Sequence, residues 1–172
     1  MRVAVVGSSG AGKTRLGREL ARRLEAPYIE LDAIFHQPGW TPLDEDEFRR
    51  RVGVAVAGDS WVVDGNYAPV RPLVLARATH VAWLDLPRPL VMSRVIRRSA
   101  HRAITRRELW NGNRESVLKW FRSDHPIRWS WSTHHRKRAE YAERFAQPEH
   151  VHLEVARLRS PREVQAWLAS IG

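Results

Sequence analysis

Gly7-Ser8-Ser9-Gly10-Ala11-Gly12-Lys13-Thr14 fits the spacing GxxxxGK[ST]. It follows the apolar run Val3-Ala4-Val5-Val6 and leads into a stretch with leucine at 16, 20 and 24, a helical stripe. Strand, glycine-rich turn and helix in that order make a cradle for the phosphates of a nucleoside triphosphate. The glycines let successive N–H groups point inward, where they and the helix N-terminus hold phosphate oxygens. Gly7, Ser8, Ser9, Gly10, Ala11 and Gly12 are the expected cradle, Lys13 reaches the β- and γ-phosphates, and the Thr14 hydroxyl ligates Mg²⁺. ATP and Mg²⁺ are the cofactors this motif calls for. Only three of the 29 basic residues are lysine, so a compact ammonium at position 13 stands out against an arginine-rich background.

Outward from this motif, short apolar runs alternate with helical patterns. Arg2 to Val6 reads as a strand buried on both faces, and Thr14 to Leu24 as a helix. Pro27 to Leu31 gives a second strand ending at Asp32, and Trp61 to Val63 a third ending in Asp64-Gly65. His80 to Leu84 gives a fourth, closed by Asp85-Leu86-Pro87, and His150 to Val155 a fifth. Between them helices are expected over Pro42 to Ala57, with Thr41 as N-cap, Val70 to Arg77, Pro89 to Ala100, Thr133 to Phe145 and Pro161 to Ser170. Such alternation makes an α/β fold with a parallel sheet and helices on both faces. Ligands then bind at the carboxyl ends of the strands, where Asp32, Asp64 and Asp85 all fall.

A chain of 172 residues suits one domain, taken here as residues 1–172. Without cysteine it has no disulfide, thiolate nucleophile or cysteine-bound zinc. A first strand opening at Arg2 predicts no targeting peptide, and no apolar run reaches the ~18 residues of a membrane span. A cytoplasmic protein without a membrane partner is expected; the sequence does not specify its oligomeric state. The net charge of +10 is concentrated, since residues 94–144 carry 14 Lys and Arg against five acids. That field suits a polyanion: a nucleotide, a nucleic acid or both. Trp110, Trp120, Trp129 and Trp131 fall in the same segment, as hydrophobes for a small lid or as stacking platforms for bases.

The phosphate loop, the Asp64-Gly65 and Trp83-Leu84-Asp85-Leu86-Pro87 strand ends, Arg94 and Arg98, and the arginine-rich insertion together resemble the adenylate kinase-like P-loop kinases. The stretches Leu31-Asp32, Pro38-Gly39-Trp40, Val63-Asp64-Gly65-Asn66-Tyr67 and Arg107 to Glu115 are similar to a bacterial subgroup known as topology modulation proteins. The resemblance implies a three-layer fold with a five-stranded sheet in the order 2-3-1-4-5 and a helical lid at about residues 99–135. It implies a Walker B role for Asp64 at the metal, with Asp85 as a supporting metal residue or a turn former. Arg94 and Arg98 match the arginines that meet the adenine and phosphates, and Arg136 and Arg138 are candidates on the returning side of the lid.

The acceptor side departs from the adenylate kinase pattern. Where those enzymes follow Asp-Gly with Phe-Pro-Arg, this chain has Asn66-Tyr67-Ala68-Pro69, with Arg71 as a substitute for the arginine. Asp32 offers another chemistry: as in shikimate and gluconate kinase-like relatives, a carboxylate at the end of strand 2 orients an acceptor hydroxyl and takes its proton. His36, Trp40, Asn66 and Tyr67 border that pocket. The leading reading is a phosphotransferase moving the ATP γ-phosphate to a nucleotide or another small hydroxyl or phosphate acceptor, with Lys13, Asp32, Arg94, Arg98, Arg136 and Arg138 as its catalytic set. The rival is a nucleic-acid-associated ATPase or regulator whose basic insertion grips a phosphodiester backbone.

Overall fold

Val3, Ala4, Val5 and Val6 are all buried, and they divide by parity. In the computed structural model, which describes residues 1–105, 110–113 and 126–171, this run is the core of strand β1 (Arg2–Gly7). Successive side chains of a strand face opposite ways. Ala4 and Val6 therefore join Trp61, Val63, Val81 and Trp83 in one core layer, while Val3 and Val5 join Val62, Ala82 and Leu84 in the other. Each fully buried aliphatic side chain contributes roughly 1.5–3 kcal/mol relative to exposure, so a strand apolar on both faces is driven to the centre.

That centre belongs to a five-stranded sheet in the order β2-β3-β1-β4-β5, parallel throughout. Its other strands are β2 (Tyr28–Glu30), β3 (Trp61–Asp64), β4 (His80–Leu84) and β5 (Glu154–Leu158). Helices α1 (Lys13–Arg23) and α7 (Pro161–Ser170) cover one face through Leu16, Leu20 and Leu168. Helices α3 (Glu45–Ala55), α4 (Arg71–Arg77) and α6 (Pro126–Phe145) cover the other through Phe48, Val52, Val74, Leu75 and Tyr141. A one-turn helix α2 (Leu31–Phe35) follows β2, and the long α5 (Arg88–Thr105) follows β4. The architecture and strand order are those the sequence implied. Among the described residues no helix is long and apolar enough to cross a membrane.

Several boundaries fall elsewhere than the sequence suggested. The third helix begins at Glu45 rather than Pro42, because Thr41 to Leu43 run extended: Gln37 N donates to Thr41 O, Leu43 N donates to Phe35 O, and His36 bridges Pro42. Asp44, not Thr41, is the N-cap, accepting from the amides of Asp46 and Glu47 at 3.1 Å each. Strand β5 begins four residues later than expected, with Leu84 opposite Leu158. Pro148 to His150 form a 3₁₀ turn, and His152 Nε2 donates to Leu75 O at 3.1 Å instead of sitting in a strand. Asp32 sits on α2, just past β2 rather than ending it, yet on the same carboxyl edge.

The expected insertion at about 99–135 is entered through α5 and left through α6, both longer than their sequence signals. Trp120 and the side chain of Trp129 lie outside the described residues.

Candidate active site

Glycine 12 sits in the left-handed region at φ 101° and caps α1 with no side-chain bond. The first amides of an eleven-residue helix are thus left open toward the loop, and uncapped amides at a helix N-terminus attract anions. The loop is tight: Ala11 N donates to Ser8 O at 3.1 Å, and Lys13 Nζ donates to Ser8 O at 3.4 Å. Gly10 (φ 83°) lies against α5, where a Cβ would stand 2.3 Å from Val95 Cγ2. From the same helix Arg94 Nη1 donates to Ala11 O and Arg98 Nη2 to Ser9 Oγ, each at 3.0 Å. Both arginines predicted to serve the nucleotide therefore meet the loop.

Opposite the loop, Asp64 closes β3 with its carboxylate buried. Its Oδ2 accepts from Thr14 Oγ1 at 2.7 Å and from Tyr28 OH at 2.9 Å. Burial first, and then the Asp64 charge, push the Tyr28 phenol well above its ordinary pKa, so Tyr28 stays a donor. A hydroxyl and a carboxylate side by side are hard oxygen donors of the kind Mg²⁺ takes. Among the described residues no group of three or more acidic or histidine side chains forms a metal cage. The Thr14 and Asp64 pair suits instead an ion that draws most of its shell from water and substrate phosphates.

The second aspartate offered to the metal is occupied otherwise. Asp85 is buried, with Arg157 on Oδ2 at 2.8 Å and Arg138 on Oδ1 at 3.1 Å. Two guanidiniums take up both oxygens, Arg138 among them. Arg157 also lies 4.3 Å over the Trp83 ring. Arg136 is exposed.

Of the three consecutive basic residues 136–138, Lys137 is the least exposed. It shares a face with buried His134 and Tyr141, at the i, i+3, i+7 spacing of one helical stripe. Tyr141 OH accepts from Asn66 Nδ2 at 3.1 Å and is hydrogen-bonded to the backbone of Gly7, which brings the stripe to the phosphate loop. Burial, and then the charge of Lys13, lower the Lys137 ammonium to about 8. The sequence reading took only the arginines on either side; the helical phase set by Tyr141 was the available signal.

Past β2 the chain builds an acidic pocket. Glu30 is in register with Asp64, and burial raises its carboxyl, with the charges of Asp64 and Asp32 adding to that and Trp110 and Arg18 opposing it. Asp32 Oδ1 accepts from Tyr67 OH at 2.5 Å, and Tyr67 OH lies 3.4 Å from His36 Nε2. Phe35 and Phe48 hold the Tyr67 ring at centroid distances of 4.6 and 5.4 Å. Trp40 and Trp110 flank His36. Gly65, Asn66, Tyr67, Arg71 and Leu31 line a small cavity beside them. Arg71 Nε donates to Asn66 Oδ1 at 2.6 Å, Glu140 lies 3.5 Å from its guanidinium, and burial lowers its pKa.

A clasp missed by the sequence reading joins this pocket to the insertion. Asn113 is buried; its Oδ1 accepts from Trp40 N at 2.8 Å, and its Nδ2 donates to Gln37 O at 2.9 Å and Trp110 O at 2.8 Å. Asn111 Nδ2 donates to His36 O at 2.6 Å. The Trp110-Asn111-Gly112-Asn113 run is therefore tied to the 36–40 loop.

A P-loop, a carboxylate beside its threonine and a second carboxylate past β2 define the P-loop kinase class. No family model matches the chain. It is 35% identical over 117 residues to the shikimate kinase of Symbiobacterium thermophilum, a match covering 59% of this chain and 67% of that enzyme. The chain belongs to the shikimate kinase family of P-loop kinases. Among solved structures it is similar to the shikimate kinase of Bacteroides thetaiotaomicron, with TM-score 0.58, 15% identity, and 99% and 95% of the two chains covered. It is also similar to a gluconokinase from Sinorhizobium meliloti 1021, with TM-score 0.52, 19% identity, and 98% and 91% covered. A third, the Acinetobacter baumannii shikimate kinase in complex with shikimate, gives 0.55 at 18% identity, with 98% and 89% covered. The protein is an ATP-dependent kinase with a small-molecule acceptor. The narrower likeness to topology modulation proteins finds no support among these relatives.

Proposed function

We propose that this kinase, working with Mg²⁺ in the cytoplasm, transfers the γ-phosphoryl group of ATP to a hydroxyl of a small hydroxylated acid, of the kind that shikimate and gluconate exemplify. One observation carries the reading: Asp32, held by the Tyr67 hydroxyl, stands just past β2, whose last residue Glu30 is in register with Asp64, so the two carboxylates share the carboxyl edge of the sheet. The open amides of α1, Lys13, Arg94 and Arg98 hold the triphosphate, and Lys137 reaches the transferring phosphate from α6. Thr14 and Asp64 would hold Mg²⁺, which when bound neutralises charge on the phosphates. Asp32 receives the proton of the acceptor hydroxyl as its oxygen bonds to the γ-phosphorus and the bond to the β-phosphate oxygen breaks, leaving ADP. Such transfer needs positioning and charge neutralisation more than covalent chemistry.

The test is an ATP-consumption screen over shikimate, gluconate, nucleoside monophosphates, nucleosides and oligonucleotide ends, with Lys13→Ala as control. Stimulation by a hydroxylated acid is the expected result. Stimulation by AMP alone, or hydrolysis indifferent to every acceptor, overturns it. The positive charge of residues 94–144 favours a second reading, a nucleic-acid-associated ATPase or regulator. Its signature is DNA or RNA binding that weakens steeply with salt.

A further inference from the structure

The Asp-Gly strand end continues as Asn66-Tyr67 where adenylate kinases place Phe-Pro-Arg, and the structure shows where that tyrosine goes. Its hydroxyl donates to Asp32 Oδ1 at 2.5 Å, within the range of a charge-assisted O–H···O⁻ bond. Its ring is wedged between Phe35 and Phe48, so the hydroxyl has little freedom to leave. Burial first, and then Asp32, push the phenol far above its ordinary pKa, which keeps Tyr67 a donor and rules it out as the base.

The third member is His36. A hydroxyl has one proton, and that of Tyr67 is committed to the carboxylate; its oxygen can then only accept from His36 Nε2, 3.4 Å away. This assigns the proton of the neutral imidazole to Nε2 and leaves Nδ1 bare, in agreement with a buried Nδ1 that has no hydrogen-bond partner. Burial keeps the His36 ring below its usual pKa, against the opposing pull of Asp32. Trp40 and Trp110 hold it in place, and His36 N donates to Asp32 O, so the imidazole and the carboxylate are also joined through the backbone.

We propose that Tyr67 is a positioning residue for phosphoryl transfer: by holding Asp32 Oδ1 it turns Oδ2 toward the acceptor hydroxyl, and His36 fixes the direction of that hold. This rests on Asp32 being the group that takes the acceptor proton. A base must lie within hydrogen-bond reach of the proton it removes, and misplacement on the order of 1 Å costs about a hundredfold in rate. A carboxylate free to rotate would spend much of its time facing elsewhere. Tyr67 restricts that rotation through its bond to Oδ1.

Tyr67→Phe keeps the ring between Phe35 and Phe48 and removes only the hydroxyl. With the acceptor identified by the screen, kcat is expected to fall about 10- to 100-fold while KM for ATP stays within about twofold. A purely structural role would instead lower thermal stability and raise KM for ATP along with the loss of rate, and that pattern overturns the proposal. So does an unchanged kcat. The ligand-free full chain gives an independent readout: a far-downfield hydroxyl proton in the ¹H NMR spectrum, present in the native protein and absent from both Tyr67→Phe and Asp32→Asn. Its absence from the native protein overturns the proposal. If Asp32→Asn leaves transfer intact, the base assignment falls and the positioning role with it. If Asp32→Asn abolishes transfer and Tyr67→Phe does not, the positioning role falls alone.

Discussion

Thr14 Oγ1 lies 2.7 Å from Asp64 Oδ2, joining the first turn of α1 to the end of β3 across fifty residues of chain. The register that places Val5 opposite Asp64 makes this meeting a consequence of the strand order. Had β3 not lain beside β1, the two groups would not share a site. Asp64→Ala is expected to lower kcat/KM for ATP by about a hundredfold or more and to raise the Mg²⁺ concentration needed for half-maximal rate. Tyr28→Phe removes one of the two donors on the same oxygen, and a loss of no more than about tenfold is expected. Mg²⁺ titrations of both variants check the order.

Lys137 tests whether the inward face of α6 serves the phosphates. Its lowered value of about 8 means that the folded ligand-free protein disfavours the charged form. The sign follows: the unfolded chain binds more protons between about pH 8 and the ordinary lysine range, so the residue costs stability below pH 8 and ceases to as pH rises through that window. Lys137→Met is expected to raise the melting temperature at pH 7 while weakening ATP binding. Above pH 8 the native protein loses ATP affinity as the ammonium deprotonates, and Lys137→Met shows no such limb. Arg136→Ala leaves ATP affinity unchanged. Calorimetric titration with ATP from pH 6.5 to 9.5 separates these outcomes.

What was legible in the sequence was chemistry carried by contiguous residues. The phosphate loop announces itself because glycine, lysine and threonine must stand at fixed offsets, and β1 because its apolar run admits no other place. Strand β5 was misplaced because Arg157 interrupts an apolar pattern; its guanidinium is accommodated by the Trp83 face and by Asp85, neither of which is near it in sequence. The same Asp85 also pairs with Arg138, a partner likewise distant in sequence. Asp32 was legible as a carboxylate past a strand, but its bond to Tyr67 spans 35 residues and needs α2 to turn it. Lys137 was hidden by its neighbours: Arg136 and Arg138 fit the expectation of lid arginines, and only the phase of Tyr141 shows which of the three faces in.

Gly10 joins the phosphate loop to α5. At φ 83° an alanine is strained, and its Cβ would fall 2.3 Å from Val95 Cγ2 and 3.0 Å from Val91 O. Neither the branched side chain nor the helix carbonyl yields cheaply, so the loop or α5 must shift, and with it Arg94 and Arg98. Gly10→Ala is expected to weaken ATP binding by tenfold or more while far-ultraviolet circular dichroism stays native. Equal ATP affinity in the variant would show that the loop does not depend on its packing against α5.

Asn113 makes three hydrogen bonds from a buried amide, two of them to the 36–40 loop that carries His36 and Trp40. Asn113→Ala leaves Trp40 N, Gln37 O and Trp110 O without that partner, and each buried group left unmade costs about 1–3 kcal/mol unless water reaches it. Because Trp110 also flanks His36, loosening the clasp releases the aromatic wall of the acceptor pocket rather than the phosphate loop. The expected result is a lower urea midpoint, a redder tryptophan emission and a higher KM for the acceptor, with KM for ATP unchanged. Asn113→Asp separates the two halves of the clasp: its carboxylate still accepts from Trp40 N but has nothing to donate to Gln37 O and Trp110 O. If Asp matches Ala, the donor side holds the pocket; if it behaves as native, the bond to Trp40 alone suffices.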